Sequence, residues 1–564
     1  MPRTTPFAKS VRERALSAAR IGFAATVVLA VVLGFWGLES YSHSASYQLG
    51  RSFWDIAYYD LQLFVLGAAP LDNPGPFPWP LQVARFLAPA ATIYALFEAG
   101  RAVFASEWRR LRQRRRTGHT IVVGETPIAD AMVDGLRRNG PVLRATAGDA
   151  ESLRDAGIAG ARFVYACADD RDDSSVNVLV AATARQQERT KKAGDLNVYA
   201  HVSDPAYALA LRARHLSQPV TGADFFNSDE LAARELVRQE AGSFRGGEPL
   251  VVVVGLGPFG QAIVVELARM WQVSARADEE LVVFLVDRDA EAVAKDLRRR
   301  WVAVAETCEL RPVADLAAVF RTPAMPTPHR VYLCHEAEEE AVRAALTMPD
   351  LWQGGERSVV VRLDRLSGLA DVLGSGGGSL LDDVEGRLQP VCVGKFVVGA
   401  DAGRAERIHE DIYERLAQLI HHNYLRHELK KGNAMRSAPA MVPWEDLSED
   451  YKQANRAQAR DIGNKLTAAG CTVAPRTGTG VALSDDPVLE TLAEREHERW
   501  MAERTAQGWT YGERRDDEAK HHPSLVPWER LPEEEKDKDR AVIREMGDVL
   551  AHCGLEIVRL NPVR

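Results

Sequence analysis

The 564-residue chain lacks the signatures of several enzyme classes. It contains no HExxH, no Walker A sequence and no GxSxG, so zincin, P-loop and nucleophile-elbow chemistry have no motif to stand on. Its six cysteines, at 167, 308, 334, 392, 471 and 553, form no CxxC pair. That spacing argues against a zinc ribbon or a disulfide framework and predicts reduced, non-ligating thiols. The histidine pairs His421-His422 and His521-His522 are adjacent, which keeps the two members of each pair off one helix face. Gly374–Gly378 has no Lys-Ser/Thr helix after it, so it is a flexible turn and not a phosphate loop. Positive charge is also short, with 70 Lys+Arg against 79 Asp+Glu and a formal charge of -9. That balance argues against a dedicated nucleic-acid binder. Mean hydropathy of -0.21 is too polar for a protein that is mostly membrane. What remains is ordinary globular composition, 46% hydrophobic and 26% charged, which excludes a disordered, collagen-like or coiled-coil chain. At roughly 150 residues per domain the length predicts three to four domains.

The charge is unevenly spread. Residues 1–119 hold 14 basic and 7 acidic residues, and the remainder holds 56 and 72. Within the basic fifth, Ile21–Leu38 runs 18 residues without a charge, about the minimum for a hydrocarbon core of roughly 30 Å. Trp36, Glu39 and Tyr41 end it as an interfacial belt, and the run is too long for a signal-peptide core. A first span is predicted at about 20–40. A second, at about 80–104, is mostly apolar but carries Arg85, Glu98 and Arg101, with Pro89 inside. Arg85 and Glu98 sit near opposite ends, where they snorkel or pair in an oligomer. Glu107–Arg116 follows with six arginines, and the N-terminus carries Arg3, Lys9, Arg12, Arg14 and Arg20. Residues 41–79 hold one basic residue, Arg51. The positive-inside rule then places both termini in the cytoplasm and the connection outside a plasma (inner) membrane. The basic runs read as lipid-headgroup contacts.

Phe53–Ala69 is apolar and aromatic with two acids, and PLDNPGPFPWP follows. A helix and then an irregular stretch between two spans is the layout of a re-entrant pore loop, here 53–70. The alternative is an amphipathic helix on the outer surface. No TVGYG-like filter is present; Val65-Leu66-Gly67-Ala68-Ala69 is the closest text.

Leu250–Val254 is a β-branched run that leads into Gly255-Leu256-Gly257-Pro258-Phe259-Gly260. A helix pattern follows, then a second strand, Leu281–Val286, ending in Asp287. Gly255 makes the tight turn, Gly257 admits a pyrophosphate and Gly260 allows close helix packing, while Asp287 reaches a ribose hydroxyl. NAD or another adenine nucleotide is the expected ligand, unless this is a Rossmann fold that has lost its ligand. Thr120–Val123 and Gly124-Glu125-Thr126-Pro127-Ile128-Ala129 repeat the plan in damaged form. Thr126 places a Cβ where the pyrophosphate approaches, so weak or absent dinucleotide binding is expected there. Gly148-Asp149, Asp169-Asp170 and Asn177 follow.

These features resemble RCK domains, regulators of potassium conductance, over about 120–400. The resemblance implies Rossmann-like units that regulate, assembled as dimers or rings beneath a channel. A dehydrogenase would need a proton-transfer pair, and His201 and His335 stand isolated.

A repeat at a spacing of 84 marks the C-terminus. Val442-Pro443-Trp444-Glu445-Asp446-Leu447 answers Val526-Pro527-Trp528-Glu529-Arg530-Leu531, and Lys452, Arg456, Arg460, Gly463, Leu466 and Gly470 answer Lys536, Arg540, Arg544, Gly547, Leu550 and Gly554. Upstream, His409-Glu410 answers His497-Glu498 at a spacing of 88, which predicts a first copy shorter by about four residues. The second copy, with HERW, GWTYG and KHHPSLVPW, resembles the RyR domain over about 408–557. In ryanodine receptors the repeat pair holds an adenine nucleotide, so the resemblance implies a candidate pocket. Trp500, Trp509, Tyr511 and Trp528 would stack on a base, and Arg514, Lys520 and Arg540 would meet phosphates. Alternatively, the tryptophans are the core of a small domain. The first copy lacks GWxYG, so at most one well-formed pocket per pair is expected.

The expected architecture is multidomain. Residues 1–118 form a two-helix transmembrane region, 119–245 a degenerate and 246–400 a fuller α/β Rossmann-like (RCK) domain, and 405–564 an all-α pair of RyR-like repeats. The expected function is a ligand-regulated, potassium-channel-like membrane protein, not an enzyme, with no catalytic or metal residues. Its partners would be the lipid bilayer, a nucleotide and other copies of itself, a tetramer being expected. A non-conducting tethered sensor or scaffold is the alternative, and a membrane-anchored dehydrogenase ranks last.

Overall fold

The computed structural model describes residues 6–44, 52–65, 67, 76–138, 140–168, 175–189, 196–217, 223–240, 250–272, 279–321, 326–363, 384, 386–394, 412–483 and 488–560. Asp169, Asp170, Gly374–Gly378, His409, Glu410 and the stretch 68–75 lie outside these. The chain divides into two compact units, Met1–Arg115 and Arg116–Arg564.

The first unit contains α1 (Pro6–Ser44), α2 (Phe53–Leu63) and α3 (Trp79–Arg114). Ile21–His43 is long and apolar enough to cross a membrane, and among the described residues it is the one segment that meets that measure. The expected second span falls within α3, whose charges keep it below the measure and whose helix continues through the arginine run. Small residues let α1 and α3 approach. Ala30 on α1 and Ala84, Ala88 and Ala91 on α3 are buried. A Cβ on Gly37 would lie 2.4 Å from the Leu81 amide nitrogen, so only glycine permits this crossing. Arg85 lies over the Phe77 and Phe86 rings, and the Tyr94 hydroxyl donates to Glu98 at 3.3 Å. Both charges therefore find partners within the chain. Ser52 and Asp55 start α2 with a reciprocal capping box.

The second unit begins with five parallel strands: β1 (His119–Val123), β2 (Val142–Ala145), β3 (Ala161–Ala166), β4 (Asn197–His201) and β5 (Ala223–Phe226). Their order is β2-β1-β3-β4-β5. Helices α4 (Pro127–Leu136), α5 (Ala150–Asp155), α6 (Ser175–Arg189), α7 (Pro205–Ser217) and α8 (Ser228–Glu240) accompany them. Next comes a six-stranded parallel sheet of β6 (Leu250–Val254), β7 (Leu281–Val286), β8 (Cys308–Val313), β9 (Arg330–Leu333), β10 (Val359–Arg362) and β11 (Leu388–Val391). Its order, β11-β10-β9-β6-β7-β8, is that of a doubly wound dinucleotide fold, with the switch point between β6 and β9. All five residues of β6 are buried, as a central parallel strand requires. Its helices are α9 (Pro258–Gln272), α10 (Ala290–Arg300), α11 (Val302–Thr307), α12 (Leu316–Phe320) and α13 (Glu338–Thr347).

Each sheet has a core of its own on one face, Ile121, Val164 and Val198 in the first and Val252, Val331 and Val359 in the second, and the two share a third. Met132, Phe226 and Leu236 belong to one buried cluster with Val251, Ile263 and Trp271. Across the same seam Tyr332 donates to Glu240 at 2.6 Å, and Arg362 pairs with Asp229 at 3.1 Å. Truncating a core leucine such as Leu236 to alanine would cost about 2–5 kcal/mol.

The C-terminal region has α14 (Ile412–Lys430), α15 (Glu449–Ala468), α16 (Leu489–Ala506) and α17 (Glu533–His552). It is not all-α. Gly470 and Gly554, in the left-handed region at φ +66° and +74°, end α15 and α17. Each turns into a five-residue strand, β12 (Cys471–Pro475) and β15 (Leu555–Arg559). These pair antiparallel, with Val473 opposite Ile557, its own repeat equivalent. A local twofold therefore relates the copies through that pair. Two short strands, β13 (Thr510–Tyr511) and β14 (His521–His522), belong to the second copy alone.

This region docks on the Rossmann units. Leu209, Ala213 and Leu216 of α7 share its core, Tyr413 donates to the His215 carbonyl at 3.4 Å, and Arg269 of α9 donates to the His552 carbonyl at 3.3 Å.

Candidate functional site

The switch-point crevice of the six-stranded sheet lies beyond the ends of β6 and β9. Gly255 adopts φ +81°, and a Cβ there would meet the His335 amide at 2.9 Å. The turn thus needs glycine both for its conformation and for its fit against the β9 end. A Cβ on Gly260 would lie 2.1 Å from the Gly255 carbonyl oxygen, which fixes the close helix packing expected of the third glycine. Asp287, at the end of β7, accepts the Leu256 amide at 2.9 Å and the Asp289 amide at 3.2 Å. The structure therefore brings Gly255, Gly257, Gly260 and Asp287 together, and Asp287 also anchors the loop. Pro258 supplies no N–H at the start of α9. Glu336 was not read from the sequence: its Oε1 is 3.0 Å from where a Gly257 Cβ would stand. His335 and Glu336 follow directly on β9, and only the strand order reveals that they face the glycine loop. His335 Nδ1 lies 3.7 Å from Glu340.

In the first sheet, side chains tie together the strand ends at the equivalent position. Thr126 donates to the Cys167 carbonyl at 2.8 Å and caps α4 by accepting the Ala129 amide at 3.1 Å. Asn177 accepts the Ala168 amide at 2.6 Å and donates to the His201 carbonyl at 3.0 Å, tying the ends of β3 and β4. Asp149 is an N-cap, accepting the Glu151 and Ser152 amides. Burial holds the His119 imidazole below its usual pKa. His201 Nε2 faces the Ser228 hydroxyl at 3.2 Å.

In the C-terminal pair the copies align differently from the expectation. His421 contacts Trp444 at 5.9 Å and stacks on Tyr424 at 6.1 Å. His497 contacts Trp528 at 5.9 Å and stacks on Trp500 at 5.8 Å. Each imidazole meets a valine carbonyl, Val442 at 2.7 Å and Val526 at 2.8 Å. Arg456 holds Glu414 and Glu449, and Arg540 holds Glu490, Glu533 and Asp537. The structural equivalent of His497 is thus His421, at a spacing of 76, and the pairing of His409 with His497 is replaced. From the histidine to the valine is 21 residues in the first copy and 29 in the second. The first copy is therefore shorter by eight residues over this stretch, and the second copy's extra length contains β13 and β14.

This comparison sorts the residues expected to bind a ligand. Trp528 and Arg540 have counterparts in both copies and serve the fold. Arg540 lies 6.0 Å from the Trp528 ring and is engaged by three carboxylates. Trp500 and Trp509 join through His522, whose ring lies 4.9 Å from the first and 6.2 Å from the second. Burial keeps that imidazole below its usual pKa. Lys520 donates to the Gln507 carbonyl at 2.8 Å, while Tyr511 and Arg514 are exposed. Only Trp509, Tyr511, Arg514 and Lys520 belong to the segment without a counterpart. Among the described residues no cluster of His, Cys, Asp and Glu is placed to hold a metal ion.

Among solved structures the chain is similar to the GsuK channel bound to NAD, at 13% identity over 84% of this chain and 90% of that chain, with a TM-score of 0.34. It is also similar to GsuK bound to ADP, at 16% identity, 67% and 96% coverage and a TM-score of 0.33. The GsuK RCK domain matches at 13% identity, 52% and 77% coverage and a TM-score of 0.32. Residues 479–559, which span the second copy, match the RyR domain family.

Proposed function

We propose that this chain is a membrane-anchored regulator, potassium-channel-like in plan, whose cytoplasmic unit senses an adenine nucleotide or NAD-type ligand. The observation that carries the reading is the glycine-rich loop at the switch point of a six-stranded doubly wound sheet, with Asp287 anchoring the Leu256 amide. That is where open α/β sheets take their ligands. NAD and ADP, the ligands in the GsuK structures, are the first probes. Only residues 115–118 separate α3 from β1, so a rearrangement of the sheets would reach the membrane helix through a short link. α3 is then the second span and α2 a re-entrant element, in a homo-oligomer. The ligand shifts the open and closed populations by its difference in affinity for them. In this reading the protein is a sensor and not an enzyme.

The test uses the full-length protein. NAD and ADP binding is measured by calorimetry in detergent, and potassium flux in liposomes with and without each ligand. Gly257→Val is expected to abolish binding and any ligand-dependent flux. Binding that survives Gly257→Val overturns the site. The absence of potassium-channel filter text, with Val65-Leu66-Gly67 in its place, favours a second reading, a tethered sensor that does not conduct. Ligand binding without flux under any condition would support it.

A further inference from the structure

A cavity of about 160 Å³ lies where the two Rossmann units meet the C-terminal pair. It is lined from α7 and α8 of the first unit, α9 and α10 of the second, and α14 of the pair. Leu209, Ala262, Val265 and Leu297 give it apolar walls, and Trp301 adds an aromatic one. The indole is positioned from two sides of the junction. The Arg269 guanidinium lies 4.9 Å from its centroid, and a Cβ on Gly554 would come within 2.6 Å of the ring. A space of this size holds one ring, since an apolar cavity of about 150 Å³ takes benzene. It is too small for a dinucleotide, because pockets for drug-sized ligands start at roughly 300 Å³.

The charges around the cavity do not balance. Four carboxylates line it, and each is already engaged. Asp204 accepts the Ala206 and Tyr207 amides at 2.7 and 3.0 Å. Glu230 pairs with Arg212 at 2.7 Å. Glu266 pairs with Arg269 at 2.6 Å and faces Arg234 at 3.9 Å. Asp296 pairs with Arg299 at 2.6 Å and with Arg300 at 2.8 Å. Arg415 of α14 completes the lining, half-buried, and no carboxylate among the described residues pairs with it. Six arginines thus answer four acids, and one guanidinium is left over. The engaged acids leave nothing for a cation to bind. A spare guanidinium beside a one-ring apolar space suits an anion instead, because it grips a carboxylate or phosphate with paired, charge-assisted hydrogen bonds.

We propose that this cavity is an effector site for a compact organic anion, a carboxylate or phosphate carried on a single ring. The anionic group binds Arg415, and the ring lies against Trp301. The walls belong to both Rossmann units and to the C-terminal pair, so an occupied cavity ties the three together. Its ligand favours the arrangement in which they stay docked.

The test is calorimetry on the full-length protein in detergent, with benzoate, phenyl phosphate and the neutral benzyl alcohol as probes. At least one anion should bind about ten-fold or more tighter than the alcohol, and which one does so identifies the charged group. Arg415→Gln should weaken that anion about ten-fold or more, and Arg415→Glu should abolish its binding. Neither variant should weaken benzyl alcohol, and unfolding midpoints check that both are folded. In the wild type the bound anion should slow hydrogen exchange in 205–217, 258–272 and 412–430 together. If the wild type binds neither anion, or Arg415→Gln leaves the affinity unchanged, the proposal fails. Displacement of the anion by ADP would put it in the glycine-loop crevice and overturn the cavity site, while ADP that binds without displacing it supports two separate sites.

Discussion

His497 Nδ1 lies 3.3 Å from a carboxylate oxygen of Asp539, while its Nε2 faces the Val526 carbonyl at 2.8 Å. A neutral imidazole has one N–H to give, so with Asp539 ionised both contacts are hydrogen bonds only when the ring is protonated. Burial opposes that proton, but Asp539, the Val526 carbonyl and Glu496 together outweigh it and raise the His497 pKa. The first copy has Asn455 at the position of Asp539, and there burial wins and lowers the pKa of His421. The Asp539 carboxyl is itself raised, chiefly by burial. Both raised values give stability the same sign. Each group holds its proton more tightly when folded, so stability declines as pH rises through the folded value. For His497 the contribution is complete below its unfolded pKa of about 6.5 and fades above it. Urea unfolding followed by tryptophan fluorescence should therefore give a C-terminal midpoint that falls between pH 6 and pH 8. Asp539→Asn should lower the pH 6 midpoint and flatten that slope; an unchanged slope would refute the assignment.

Much of this was legible beforehand, because it rests on local patterns. The buried run Leu250–Val254, the glycine spacing after it and the acid at 287 specify strand, turn and helix without tertiary information. The departure of Thr126 from the glycine pattern is visible in the sequence, but not that its hydroxyl bridges to the Cys167 carbonyl. Glu336 could not be read, because its place beside Gly257 depends on β9 pairing with β6, which lie some eighty residues apart. The repeat is deceptive because its 84-residue spacing holds from Val442 onward but not upstream of the length difference between the copies. The signal that corrects it is short: Glu414, His421 and Tyr424 answer Glu490, His497 and Trp500 at a constant 76. The strands β12 and β15 escaped notice because five residues after a glycine cap look like a helix tail until their partner is known.

Gly463 and Gly547 are repeat equivalents with opposite surroundings. A Cβ on Gly463 would lie 1.9 Å from the Leu216 carbonyl oxygen, whereas one on Gly547 would meet nothing within 4 Å. Only the first copy docks its helix on α7 at this point. Gly547→Ala should stabilise the protein by about 0.5–1 kcal/mol, the helix-propensity gain alone. Gly463→Ala gains the same propensity but must push α7 away. It should raise hydrogen exchange across 205–217 and 449–468 and lower the unfolding midpoint. Equal effects of the two substitutions would show that the docking contact is not tight.

The copies are also joined by a buried ion pair. Lys465 Nζ lies 2.6 Å from Glu496 and 2.8 Å from Asp461, with the Lys465 side chain 1% exposed and that of Glu496 3%. Arg499 grips the same carboxylate at 2.7 Å. Burial alone would raise the Glu496 pKa, but Arg499 and Lys465 outweigh it and hold the group below its usual value. The repeat position of Lys465 is Val549, also buried, so the site accepts an apolar residue when no acid faces it. Lys465→Met should therefore cost about 3–5 kcal/mol, because it strands a buried carboxylate and not because the pair itself is worth that much. Adding Glu496→Leu removes the stranded charge and should recover at least about half of that loss. Urea unfolding of the two variants and wild type measures both numbers. A double variant no more stable than Lys465→Met would mean that shape and not charge sets the cost. A single-variant loss below about 1 kcal/mol would mean that water reaches the pair and screens it, as at a surface.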